Sequence, residues 1–370
     1  MMLQPKKGPI DGAHYLETTP GTCLWGWLPG RGNDPVLRVK SGDTVTIDTV
    51  SHEGILEDQG RDPVAYLAGF GVPPGLVLAD ARDLAVSDLE HDYDADGPHV
   101  VTGPIAVDGA EPGDVLRVDV LGLLTRAPYG FISNRHGFGA LPGEFPETEA
   151  DSGPRPDGSR DFHSVCVFTE VVEQRGRLWG VLPSGGAGMV RFPLAPFLGL
   201  MGVATDTGAP VSSVPPGSYG GNLDINELQV GSALYLPVQL PGAGFYAGDP
   251  HYAQGDGEVA LTALEAPLRA TVRLTVIPRA EAATLLGALA GPFAETPTHW
   301  VPVGLHEDLN EAMRRAVRAA VDFLALTQGM DRATALAYLS AAADFEVSQV
   351  VDQVKGVHCM IRKADFTPHW

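Results

Sequence analysis

The sequence Tyr219-Gly220-Gly221-Asn222-Leu223-Asp224-Ile225-Asn226-Glu227 opens the stretch 219–258, and Gly248-Asp249-Pro250-His251-Tyr252-Ala253-Gln254-Gly255-Asp256-Gly257-Glu258 closes it. Between them Ser232 to Gln239 has the alternation and aromatic content of a strand. Two glycine-laden, acid-bearing loops are therefore expected to flank one sheet element. Glycine opens backbone conformations closed to other residues, so such loops can aim several short side chains at one point. On this reading Asn222, Asp224, Asp249, His251, Asp256 and Glu258 converge. Carboxylates at that density repel one another unless protons or a cation offset the charge, and a histidine among them adds the nitrogen ligand that zinc and related divalent ions accept. A plainer alternative makes Gly255-Asp256-Gly257 a hairpin turn with its acids in water. The cluster taken together points to a metal-assisted hydrolytic site.

Working outward, the chain reads as mainly β. Val36 to Val39 and Thr44 to Val50 predict strands on either side of the turn Lys40-Ser41-Gly42-Asp43, with β-branched Val45, Ile47 and Thr49 in support. Val115, Arg117 and Asp119 alternate against Leu116, Val118 and Val120, and strands are also expected over His163–Glu170, Glu258–Leu264 and Arg269–Ile277. Cys166 reads as a small buried hydrophobe, Asp88 to Gly97 as an acidic surface segment with His91 in water, and 141–160 as an exposed excursion. After the strand ending at Val50, Ser51-His52-Glu53-Gly54 is either a second part of the site or a local polar turn. Pro183-Ser184-Gly185-Gly186-Ala187-Gly188 lacks the Gly-Lys-Ser/Thr of a phosphate loop, and Ser184 lacks a Gly-x-Ser-x-Gly elbow. Beyond Pro278 the period changes: 280–290 predicts a short helix, Asp308-x-x-Glu311 caps a helix with an apolar stripe Leu309, Met313, Ala316, Val317, Ala320, Val321 and Leu324, and Asp331 caps another. Three regions are expected: 1–190, β-rich; 191–278, carrying both loops; and 279–370, mixed α and β.

Composition bounds the partners. A length of 370 residues allows a large core, and a formal net charge of -21 excludes the basic face that nucleic acid or an anionic membrane needs. No apolar run reaches the roughly 20 residues that span a bilayer, and residues 1–11 have no signal-peptide pattern. Cys23, Cys166 and Cys359 fit neither a disulfide framework nor a Cys-x-x-Cys metal spacing, which implies a reducing cytoplasm.

Five motifs in order carry a resemblance. They are His99-x-x-Thr102-Gly103-Pro104-Ile105, Gly109-Ala110-Glu111-Pro112-Gly113-Asp114, Gly220-Gly221-Asn222-Leu223-Asp224, the closing loop 248–258, and Ser348-Gln349-Val350-Val351-Asp352 with Lys355-Gly356-Val357. The chain resembles the acetamidase/formamidase family of metal-dependent amide hydrolases. The resemblance implies a mainly β fold, jelly-roll or CUB-like with a barrel-like part, a mixed C-terminal region, a homo-oligomer, and cleavage of the carbon–nitrogen bond of a small, neutral, linear amide to release ammonia or an amine and a carboxylate. Ser51-His52-Glu53-Gly54 and Tyr219 depart from the family's simple amidases, which carry an Asp-led polar segment and often a histidine there, so formamide or acetamide does not transfer as substrate.

Amide hydrolysis needs both an activated water and a polarised carbonyl, and a divalent metal supplies both. The expected ligands are His99, Asp224 and His251, with Asp249 as a fourth or as the group that fixes a histidine tautomer, and His52 as a further donor. Glu258 is the expected general base and later acid, Asn222 an oxyanion donor, and Glu53 a further proton-transferring group. Zinc is the expected metal, with calcium as the alternative. The same scaffold admits a lactamase acting on cyclic amides. A rival is a non-catalytic carbohydrate- or metal-binding β module with an all-oxygen calcium shell; another is a structural oligomer with solubilising loops.

Overall fold

A computed structural model describes residues 2–147, 162–186, 188–287 and 289–366. The strand alternation expected from the sequence sorts side chains onto two faces. Leu116, Val118 and Val120 of Val115–Thr125, with Leu234 and Leu236 of Ala233–Pro237, turn toward the main core; Val115, Ala233 and Tyr235 turn the opposite way. Among the described residues a nine-stranded and an eleven-stranded sheet form, with a two-stranded ribbon beside them, and neither large sheet closes into a barrel. Ile105, Val107, Leu198, Met201, Val203 and Phe245 of the eleven-stranded sheet share one buried cluster with the inward residues of the nine-stranded sheet. The fold is therefore a mainly β sandwich, as the sequence leads one to expect.

The other face of the nine-stranded sheet is covered by the helices Leu309–Thr327 and Arg332–Ala342. Both caps act as read: Asp308 accepts from Glu311 N at 2.9 Å, and Asp331 accepts from Ala333 N and Thr334 N. Of the predicted stripe Ala316, Ala320, Val321 and Leu324 are buried and Met313 and Val317 pack half-buried, Ala312 and Phe323 complete the face, and Leu309 alone is left exposed. Small alanines let the helix lie close to the sheet: a side chain on Gly304 would meet Ala312 O and Ala316 N. Among the described residues no helix is long and apolar enough to cross a membrane.

Several local expectations change. Leu37–Lys40 and Thr44–Asp48 form, but not as a hairpin: the first pairs parallel with Val100–Asp108 in one sheet, the second with Leu268–Ile277 in the other. The turn Lys40–Asp43 thus carries the chain across the sandwich. Residues 258–263 form turns, with only Leu264–Glu265 in strand geometry. Gly248 to Ala253, read as loop, belongs to the strand Phe245–Ala253, because pairing on both sides outweighs the poor strand preference of Gly, Asp and Pro. Within the expected excursion, 141–147 is largely exposed and 148–160 lies outside the described residues. Pro183 pairs with Met189 at the end of a β-hairpin, so the glycine-rich segment is a strand connection, with Ala187 outside the described residues.

Candidate functional site

Asp249 and His251 stand two apart on Phe245–Ala253 and their side chains meet, His251 Nε2 lying 3.0 Å from Asp249 Oδ2. The neighbouring strand Phe197–Val203 places Gly199 beneath them. A methyl group there would stand 2.6 Å from His251 Cε1 and 2.8 Å from Asp249 Oδ2, and closer still to Asp224 Oδ1. Gly199 therefore sets the floor on which these three meet. Leu223 N and Asp224 N both donate to Gly199 O, at 3.0 and 3.1 Å, which holds the Gly-Gly-Asn-Leu-Asp segment over the same spot. His99 precedes Val100–Asp108, His52 follows Thr44–Asp48, and Glu265 stands opposite His251 in register. Glu258 and Asp352 arrive on turns.

All of these groups are buried: Asp224 is 1% exposed, His251 0%, Glu265 1%, His52 3%, Asp249 4% and His99 6%. Their ligand atoms fall within 4.8 Å of one another in overlapping sets: His52, His99 and Asp249; Asp224, Asp249 and His251; His251, Glu258 and Glu265; Asp224, Glu258 and Asp352. Asp249 belongs to two of them.

Hydrogen bonds fix which atoms face inward. Gln254 Nε2 donates to Asp224 O at 2.8 Å and Ser348 O at 3.0 Å, so its Oε1 is the end 3.1 Å from His251 Nδ1. His251 Nδ1 then carries the proton and Nε2 points among carboxylates. His99 Nδ1 is held by Ser213 Oγ at 2.9 Å, leaving Nε2 directed at Asp249. His251 Nε2 lies 2.9 Å from Glu265 Oε1 and 3.0 Å from Asp249 Oδ2, yet is not aligned for a hydrogen bond with either. Both His52 nitrogens, both Asp224 carboxylate oxygens, Asp249 Oδ1 and Glu265 Oε2 are buried without a hydrogen-bond partner. Such orphaned atoms are rare in folded proteins and call for a missing partner.

The proton affinities follow from crowding. Burial, then the neighbouring carboxylates, raises Asp224 and Glu258 well above the carboxylate range. Burial and then Asp249 push Glu265 up to about 7, and burial also raises Asp352 to about 7. Asp249 goes the other way: burial opposes ionisation, but His251 and His99 overcome it and hold the carboxylate ionised. Burial would lower His251, yet Asp249 and Glu265 raise it; His99, with fewer acids around it, is lowered to about 4 by burial.

The donor set fits a cation. His52 Nδ1 and His99 Nε2 each stand 3.7 Å from Asp249 Oδ1. That is too long for a hydrogen bond and close to the roughly 3.3 Å edge of a tetrahedron built on ligand bonds of about 2.05 Å. Two imidazoles and a carboxylate suit zinc and its neighbours better than calcium.

Of the residues singled out in the sequence, His52, His99, Asn222, Asp224, Asp249, His251 and Glu258 come together. Asp256 does not: it is exposed, accepts from Asn226 Nδ2 at 3.0 Å and sits near Glu346 and His358. Glu53 lies behind His52, paired with Arg135 Nη1 at 3.0 Å and bonded by Gln59 Nε2, and burial is overcome by Arg135 so that it stays ionised. His91 is not solvated; its side chain is buried, stacked on Trp25 at 4.6 Å and bonded to Glu57 and Gly97 O. Cys166 is half-buried and faces the polar group of Glu53, Gln59 and Ser133. Glu265, Asp352, Gln254 and Gly199 were given no role by sequence reasoning; for Glu265 the available signal is one acid inside the apolar run Ala263-Leu264-Glu265-Ala266.

A cavity of about 240 Å³ opens above the cluster, with His52, His99, Asn222, Asp249, Glu258 and Glu265 at its polar end. With this geometry in view, comparison with known proteins is informative. A formamidase of Methylophilus methylotrophus is 32% identical over 206 residues, 45% of this chain and 49% of that protein. An acetamidase of Mycolicibacterium smegmatis is 30% identical over 215 residues, 45% of this chain and 50% of its own. The chain thus spans about half the length of the curated relatives it matches. The crystal structure of an acetamidase from Yersinia enterocolitica shares the fold, with a TM-score of 0.73 and 23% identity, covering 96% of this chain and 93% of that one. One titled gamma lactamase from Delftia acidovorans has a TM-score of 0.54 and 20% identity, covering 96% and 93%. The sequence profile of the Acetamidase/Formamidase family matches residues 80–212 and 204–362, and the chain belongs to that family.

Proposed function

We propose that this protein hydrolyses the carbon–nitrogen bond of a small neutral amide, with a divalent cation of the zinc class held by its own residues, releasing ammonia or an amine and a carboxylate. The observation that carries the reading is the set of buried, unpartnered nitrogen and oxygen atoms converging at one end of an open cavity. His52, His99 and Asp249 form the donor set best spaced for the ion, and His251 and Asp224 reach it through their shared neighbour Asp249. When bound, such an ion lowers the pKa of a coordinated water and polarises a carbonyl.

The remaining work falls to the protein. Glu265, raised to about 7 with Oε2 unpartnered, is poised to accept a proton near neutral pH. Glu258, whose proton affinity in the metal-free protein is raised by burial and by Asp352 and Asp249 against the pull of His251, lines the cavity and is placed to exchange a proton with the leaving nitrogen. Asn222 lines the cavity floor, where its amide can donate to oxygen bearing the developing charge. Glu53, held ionised by Arg135, faces His52 Nε2 at 3.5 Å and orients that ring. The proposal carries with it a homo-oligomer in a reducing cytoplasm; the three cysteines are free. The gamma lactamase fold neighbour supports a second reading, in which the amide is cyclic.

The test is metal analysis of protein purified without chelator, then release of ammonia or amine from linear amides and lactams with chelator and with zinc restored. Metal at or near one equivalent and chelator-sensitive turnover is the expected result. Metal-free protein with undiminished turnover would refute it.

A further inference from the structure

One wall of the cavity is built from two segments that the fold stitches together. The turn 258–263 carries Leu261, the segment after Tyr129–Arg135 carries Phe138, and both residues line the cavity. Ala140 N donates to Val259 O at 2.9 Å, Asn134 Nδ2 to Ala260 O at 2.5 Å and Ser133 N to Thr262 Oγ1 at 2.8 Å. Gly139 permits the close approach, since a side chain there would meet Ala260 O at 2.9 Å. Leu261 itself holds φ of 124°, a conformation that glycine adopts freely and leucine does not. A leucine held there against its backbone preference, at the edge of a site, points to a use for its side chain. Leu56, Val214 and Val351 add to the apolar lining.

The space in front of this wall exceeds what the smallest amides need. The cavity volume is about 240 Å³, and an engineered apolar cavity of about 150 Å³ holds benzene. Scaled on that pair, the cavity has room for about ten non-hydrogen atoms, so acetamide would leave most of it to water. Charge narrows the choice further. Among the described residues no lysine lines the cavity, and Arg135 is tied to Glu53 and Asp58, so an anionic acyl group finds no free cation. Asp94 and Asp96 also line the cavity, and Asp96 Oδ2 already accepts from Asp92 N at 2.9 Å. An apolar lining with its polar groups gathered at one end suits a ligand with an apolar body and one polar end.

We infer that the substrate is an amide whose acyl group is an uncharged hydrocarbon body of about five to seven carbons, and that Leu261 is a specificity-determining residue for it. The inference rests on the amidase reading for the scissile bond, but the lining is testable without turnover. Methyl ketones serve as probes, because a methyl group in place of the amide nitrogen leaves no bond to hydrolyse. Acetone, 2-heptanone and 5-methoxy-2-pentanone, the ether isostere of 2-heptanone, are titrated calorimetrically into protein purified without chelator. Ammonia release is measured from acetamide, heptanamide and its cationic isostere 6-aminohexanamide. Wild type is compared with Leu261→Gly, which suits the backbone and removes the side chain, and with Val214→Phe, which takes up part of the cavity.

Burying a methylene is worth roughly two- to fourfold in affinity, so wild type is expected to bind 2-heptanone roughly 16- to 250-fold more tightly than acetone, with the ether weaker than 2-heptanone. In whichever variant stays folded that ratio falls severalfold. Heptanamide is expected to exceed both other amides in kcat/KM. Equal binding of acetone and 2-heptanone by wild type overturns the inference whether or not any amide is hydrolysed. So does equal binding of the ether, an undiminished ratio in a folded variant, or acetamide or 6-aminohexanamide turning over best. Selective ketone binding without hydrolysis of any amide upholds the cavity assignment and sinks the amidase reading instead.

Discussion

Glu265 ties the stability of the metal-free protein to pH in an unusual direction. Burial, then the neighbouring Asp249, raises its carboxyl from 4.5 to about 7. Between those values the folded chain holds a proton that the unfolded chain has released, so the folded state binds more protons and unfolding free energy falls as pH rises. At 1.36 kcal/mol per pH unit, the rise corresponds to about 3 kcal/mol lost by pH 7. Asp352, raised from 3.8 to about 7, acts in the same direction but shares the cavity, so the two effects do not add. His251, raised above 6.5 by Asp249 and Glu265 against its burial, loses its stabilisation only at higher pH and continues the downward trend. His99, lowered to about 4 by burial, tilts the other way between about 4 and 6.5. Comparison with Glu265→Gln reads this group together with the shifts its charge imposes on His251, Glu258 and Asp352. Urea denaturation of chelator-treated wild type and variant from pH 4.5 to 7.5, at constant ionic strength, is expected to show the variant gaining about 3 kcal/mol relative to wild type. Added zinc at pH 7.5 is expected to stabilise wild type. A difference between the two proteins that does not change with pH would refute the assignment of a raised proton affinity to Glu265.

His251→Ala is expected to lose bound metal and turnover together, read by elemental analysis and ammonia release on the same samples. Glu258→Gln is expected to keep the metal while the rate falls roughly 100- to 10,000-fold, the range for loss of an acid–base group; unchanged kcat would remove Glu258 from proton transfer. Gly199→Ala inserts a methyl into the contact of Asp224, Asp249 and His251. It is expected to abolish metal retention with a stability loss of about 1–3 kcal/mol, and wild-type metal content would show that the floor yields. Asp224→Asn is expected to lose metal affinity while raising the melting temperature of the metal-free protein; a lower melting temperature would count against charge crowding there.

Much of the fold is legible because one face of each sandwich strand is dry. Leu116, Val118 and Val120 announce their sheet by alternation alone, and Asp308 and Asp331 announce their helices by caps. What hides is whatever depends on distant pairing. The Gly-Asp-Pro-His run looks like a loop because its residues disfavour strands, yet antiparallel partners on two sides impose one. Glu265 stands out only as one acid in an apolar run and Asp352 only as the end of the motif 348–352; neither place in the chain says which site it joins, which is decided by the register opposite His251 and by a bend after Asp344–Gln349. Glycines in the motif signal close approach, but Gly199, the one that makes room for the acids, lies outside it.

Three acids of the site carry a backbone penalty as well. Asp224, Asp249 and Glu258 adopt φ of 50°, 47° and 46°, a region that costs on the order of 1 kcal/mol or more for a residue other than glycine. Inverting φ changes the direction of Cβ, which lets an acid on a strand or turn enter a cavity that its neighbours avoid. A second penalty is electrostatic: Asp224 stands beside Glu258, Asp352 and Asp249, and burial already opposes its ionisation. A bound cation would offset the electrostatic penalty and leave the backbone one untouched, so the two are separable. Asparagine tolerates positive φ as well as aspartate does and carries no charge. Asp224→Asn therefore keeps the backbone as it is and removes the cost of holding an acid in its neutral form among other buried acids, which is why the metal-free variant should gain stability while surrendering the ion.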